Sequence, residues 1–89
     1  MKGIITVIGK DKVGILAQIS GICAEYGVNV VEVTQSILQD MFCMIMLIDI
    51  EKANIPFTEF ADKAKKMGEK HCLTVHVMHE DVFNSMHRI

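Results

Sequence analysis

The 89-residue chain is long enough for one domain, residues 1–89, and leaves no room for a second. Its net charge of −2 and scattered Lys and Arg give no basic face of the kind a nucleic-acid binder needs, so no nucleic-acid partner is expected. No window approaches the length of a membrane span, yet 51% of the residues are hydrophobic, a surplus that predicts apolar surface covered by a partner copy.

Lys2 to Ile8 is a β-branched run (Ile4, Ile5, Val7, Ile8) that reads as a buried strand, followed by a loop from Gly9 to Gly14. From Ile15 the apolar residues fall at Ile15, Leu16, Ile19, Ile22, Cys23 and Tyr26, the spacing of an amphipathic helix. Gly27 stands where that helix stops in the left-handed conformation. Val28 to Leu38 alternates, with Asn29, Val31, Val33, Gln35 and Ile37 on one side and Glu32, Thr34 and Ser36 on the other. A turn at Gln39 and Asp40 leads into Met41 to Ile50, apolar on both faces, which predicts an antiparallel hairpin with a central strand.

Asn54 is the expected cap of a second helix with Pro56 in its first turn, a buried stripe at Phe57, Phe60, Ala61, Ala64 and Met67, and Gly68 at its end. Leu73, Val75 and Val77 alternate with Cys72, Thr74 and His76 in a last strand. The tail from Glu80 has the pattern of a short helix, with Val82, Phe83 and Met86 on one face. Phe42, Met44, Met46 and Ile48 share a strand face; if that row lies away from the two helices, the tail is its expected cover, with a protein interface as the alternative.

The order β-α-β-β-α-β predicts an α+β, ferredoxin-like sandwich. Right-handed crossovers put both helices on one face of a four-stranded antiparallel sheet, with the short helical tail besides. The first and third strands fall in the middle, and the second becomes an edge with a polar outer row.

The chemistry concentrates between Gly9 and Val30. Gly9 and Gly14 permit close backbone approach, and free N–H groups at a helix start attract a carboxylate or phosphate. Asp11 either caps the helix or receives a ligand's ammonium group; equally, Asp11 and Gly14 shape the turn and nothing more. Asn29 lies at the mouth of the second strand, where plain turn chemistry also explains it. The spacing G-x-x-x-x-G is not followed by Lys and Ser/Thr, so a Walker nucleotide site is rejected.

No nucleophile sits beside a base, so no enzyme activity and no catalytic residue is expected. His71, His76, His79 and His87 with Cys72 form no compact ligand set on a strand, so neither a metal site nor another cofactor is expected. Cys23, Cys43 and Cys72 are odd in number and far apart, and the N-terminus lacks a signal-peptide run; both predict a cytoplasmic protein with reduced thiols. Cys43, inside the most apolar strand, reads as a small core residue.

Several families share this topology. A copper chaperone needs two cysteines in the first loop, and an RNA-recognition domain needs aromatic residues on both central strands. An acylphosphatase needs a phosphate-cradling arginine, and the only arginine is Arg88. The segments V-x-G-x-D-x-x-G-I-L-A-x-I (Val7–Ile19) and A-E-Y-G-V-N-V (Ala24–Val30) instead resemble the ACT domain, a small-molecule-sensing module of amino-acid metabolism. More narrowly, the chain is similar to free-standing single-ACT-domain proteins and to the ACT halves of the glycine cleavage system transcriptional repressor.

The resemblance implies a non-catalytic, homodimeric regulatory domain. It also implies that a small amino acid is held where the first loop of one copy meets the second strand of another. By position, Asp11, Gly14, Ile15, Leu16 and Asn29 are then the ligand-binding residues. Asp11 stands where some members carry asparagine, so a ligand's ammonium group must face it. The alternative from a different class is a ligand-free protein-interaction module that docks on a metabolic enzyme or regulator through the sheet face.

Overall fold

The computed structural model describes residues 2–10 and 14–86, without the side chains of Phe83 and Met86. Its elements are β1 (Lys2–Gly9), α1 (Ile15–Glu25), β2 (Asn29–Leu38), β3 (Met41–Asp49), α2 (Phe57–Lys70), β4 (Thr74–His79) and α3 (Glu80–Met86). The strands form one antiparallel sheet in the order β2-β3-β1-β4. This is the ferredoxin-like sandwich expected from the sequence, with the two most apolar strands in the centre.

The ladder decides which side chains meet the helices. Ile5 pairs with Met46 and Val77, and Val7 with Met44 and Val75, so these six share a face. They pack with Ile15, Ile19 and Cys23 of α1 and Phe60 and Ala64 of α2 in one core that contains no buried charged group. The Tyr26 ring meets Phe60 edge-on, with centroids 6.3 Å apart, and Lys63 Nζ lies 5.7 Å from the centre of the Tyr26 ring. Met44 and Met46 are therefore covered by the helices, and the tail is not their lid.

The tail helix α3 lies on the opposite face, against β1 and β4. There Ile4 is buried and Leu47 half-buried, whereas Val82 stays exposed. The His79 Nδ1 atom accepts a hydrogen bond from the Asp81 N–H at 3.1 Å and so caps the helix start. Cys43 also faces this side and is half-buried, so it is not the core residue its apolar surroundings suggested.

Three local expectations are corrected. α2 continues past Gly68 to Lys70; Gly68 is buried against β4, where a Cβ would stand 2.3 Å from Val75 Cγ2. Asn54 does not cap α2, whose N-cap is Pro56 without a side-chain bond. Its backbone N–H donates to the Tyr26 carbonyl (2.9 Å) and its side-chain amide to the Glu25 carbonyl (3.3 Å), tying the β3–α2 connection to the end of α1. Finally, the alternation along β2 is interrupted. Val30 pairs with Ile48 and Glu32 with Leu47, leaving Val31 unpaired in a bulge. Asn29 thereby falls on the face away from α1 and α2, while Val33, Gln35 and Ile37 fall on the helix-bearing one.

Burial pushes the Cys23 thiol from an ordinary value of 9.0 up to about 11. Below pH 9 the thiol is neutral in both the folded and the unfolded chain, and its contribution to stability is complete. Between pH 9 and 11 the unfolded chain releases the proton while the folded chain keeps it, so stability must fall as pH rises. Urea titrations across that window should lose up to about 3 kcal/mol of unfolding free energy. The Cys23→Ala variant should show a correspondingly flatter slope; an equal slope would refute the assignment.

Candidate functional site

α1 opens on Gly14, which is left-handed (φ 76°) and brings no side-chain cap to the helix start. Only glycine adopts this conformation without strain, and no acidic residue occupies the first turn of α1. The first-turn N–H groups therefore keep the partial positive charge of a helix start. Among the described residues, a Cβ at Gly14 would approach only Gln18 Nε2, at 3.8 Å. Ile15 is buried in the core and has only backbone to offer, whereas Leu16 is 40% exposed. Asp11, the remaining loop residue of the expected site, lies outside the described residues.

Asn29 is exposed at the start of β2, opposite Asp49 in the ladder, and Asp49 in turn is opposite Lys2. Gly27, Asn29, Asp49, Glu51 and Lys52 line a shallow cleft of about 320 Å³. Lys2 and Gly9 are the two ends of β1, so Asn29 and Gly9 sit at opposite ends of the sheet. At about 3.3 Å per residue that separation is roughly 23 Å. One copy thus brings Gly14, Ile15 and Leu16 together and leaves Asn29 apart from them. An amino acid spans only a fraction of that distance.

A residue that the sequence reading passed over is Gln18, one turn into α1. Its Oε1 atom is buried and has no hydrogen-bond partner among the described residues. The only sequence signal was an amide between Ile15 and Ile19 on a helix whose inner stripe is otherwise apolar. Among the described residues no group of three or more His, Cys, Asp or Glu is arranged to hold a metal ion. No helix among them is long and apolar enough to cross a membrane.

The ACT domain model matches residues 3–77. The chain belongs to the ACT domain family. It is 45% identical to a UPF0237 protein of Clostridium perfringens over the full length of both, and 39% identical to one of Methanopyrus kandleri over 88 residues, 99% of this chain and 98% of that one. Among solved structures, an ACT domain protein from Streptococcus pneumoniae superposes with a TM-score of 0.82 at 32% identity, covering 93% of each chain. A putative glycine cleavage system transcriptional repressor matches at 0.71 and 21% identity, covering 85% of this chain and 43% of that one; at that identity the likeness shows the fold alone. The ACT family is of a regulatory kind.

Proposed function

We propose that this ACT domain is a non-catalytic regulatory module of the cytoplasm, homodimeric, that binds a small amino acid at the seam between two copies. The observation that carries the reading is the division of the expected site between the two ends of one sheet. β2 is an edge strand whose outer side has no strand neighbour among the described residues. When two β2 strands pair antiparallel about a two-fold axis, Asn29 of one copy comes to the Leu38 end of the other. That is the end at which the partner's Gly9 and the start of its α1 lie.

The division of chemistry suits an amino acid. The first-turn N–H groups after Gly14 attract its carboxylate, the side chain of Asp11 its ammonium group, and the Asn29 amide either one. The three cysteines, Cys23, Cys43 and Cys72, are all free, which suits a reducing compartment.

A thermal-shift titration with each of the twenty amino acids tests this. A ligand at a hundredfold excess over its Kd adds about 2.7 kcal/mol to the folded state. The melting temperature should therefore rise with one or a few amino acids and not with the rest, and Asn29→Ala should lose most of that rise. No response from the wild-type protein to any of the twenty would overturn the ligand part of the proposal.

A further inference from the structure

The sheet face opposite α1 and α2 is divided into two unlike halves. Towards the Lys2 end of β1 it is covered by α3, and Glu32, Ile45, Leu47, Glu80 and Asn84 enclose a cleft of about 270 Å³ there. This half is acidic: Glu80 and Asp81 open α3, Glu32 stands beside them, and Lys2 is matched across the ladder by Asp49. Val82 projects from it, 51% exposed. Towards the Gly9 end the face is bare. Ile8 is 37% exposed, Met41 36% and Leu38 66%. On the β1–β4 side of that end, Lys10 and His71 border a second cleft of about 370 Å³ floored by Ile8 and Met41.

We infer that this face packs against the same face of a second copy, with each α3 seated on the bare half of its partner. The ladder fixes where the two-fold axis must run. Thr34, Ile45, Thr6 and His76 lie in one row across the four strands, midway between the halves. An axis in the plane of the interface along that row exchanges the Lys2 and Gly9 ends and leaves the β4 side over the β4 side. Glu80 and Asp81 of one copy then meet Lys10 and His71 of the other, and Val82 meets the apolar floor. Rotation about an axis along the strands would set Lys10 over Leu38 and Asp40 and leave the α3 acids without cations.

The occupant is a second copy because the surface carries both halves of its own complement, which is the signature of an isologous interface. The two sheets would lie nearly aligned, as in a sandwich. The exposed Ile8, Met41, Ile45 and Val82 would leave water together. None of the free β2 edge is used. This pairing therefore stands whether or not the edge pairing does, and the two together make a tetramer.

Sedimentation equilibrium separates the two interfaces. Ile45→Lys places two ammonium groups together on the axis and should lower the assembly by one step, from tetramer to dimer, or from dimer to monomer if the edges do not pair. Gln35→Lys sets two ammonium groups side by side at the midpoint of paired β2 edges and should weaken edge pairing while leaving the face-to-face dimer. Lys10→Glu and Glu80→Lys should each weaken assembly at least tenfold, and the double variant should restore it. All four residues are at least partly exposed, so far-UV circular dichroism should stay unchanged. An assembly insensitive to Ile45→Lys, or a double variant no better than its parents, overturns the inference.

Discussion

Phe60→Ala should lower the unfolding free energy by about 4 kcal/mol, the largest loss expected from any single truncation in the chain. Phe60 is fully buried in the first turn of α2 and, among the described residues, is the largest of the completely enclosed side chains. It closes the space between the two helices and the sheet and meets Tyr26 edge-on. Removing the ring forfeits its transfer free energy and leaves a cavity that helices on a twisted sheet cannot collapse to fill, and such truncations cost about 3–5 kcal/mol. A domain of this size has only about 5–13 kcal/mol in all. The melting temperature should drop by roughly 20 °C. An unfolding free energy from urea titration lowered by less than about 1 kcal/mol would mean that α2 is not the lid of this core.

Gly68→Ala is expected to destabilise although it replaces glycine within a helix. At an open helical site the exchange gains about 1 kcal/mol, because alanine loses less backbone entropy. Gly21 of α1 is such a site: a Cβ there meets nothing within 4 Å, so Gly21→Ala should gain close to that amount. At Gly68 the added methyl would lie 2.3 Å from Val75 Cγ2 and 3.2 Å from the Leu73 carbonyl oxygen. Val75 is β-branched, buried and held in the ladder opposite Val7, so it has no alternative rotamer to retreat into. A clash this close puts the cost towards the top of the about 1–3 kcal/mol range for overpacking, which outweighs the helical gain, for a net loss of up to about 2 kcal/mol. Parallel urea titrations of the two variants should therefore move in opposite directions. A stabilised Gly68→Ala would show that α2 and β4 are not in contact at this point.

Gly68 also marks the limit of what the sequence made legible. A glycine near the end of an apolar stripe reads as a stop because local conformation is all that a sequence window contains; the need for helix and strand to touch is a tertiary fact. The element order and the central position of β1 and β3 were readable, since both follow from hydrophobic periodicity and from the way connected strands pack. The face of the Met44–Met46 row was not readable. β3 is apolar on both sides, and only the pairing of Ile5 with Met46 shows which side meets α1 and α2. Asn54 has the composition of a helix cap, but its amide serves the end of α1, a partner distant along the chain. Of the candidate site, the start of α1 after Gly14 and the start of β2 at Asn29 were legible; the left-handed conformation of Gly14 was not. That the two stand at opposite ends of the sheet was implicit in the topology. The face on which Asn29 lies depended on one unpaired valine.

That valine has a consequence for how far the sheet can be extended. An uninterrupted, apolar edge is a template for endless addition of strands, which ends in fibres. On β2 a neighbour can keep continuous register only from Glu32 to Leu38, because the chain bends and twists at Val31. A strand laid symmetrically along that segment has its midpoint at Gln35, and any slip from it runs into the kink. The same irregularity that turns Asn29 to the other face thus makes pairing at this edge self-limiting. It favours a closed pair of copies over a growing filament.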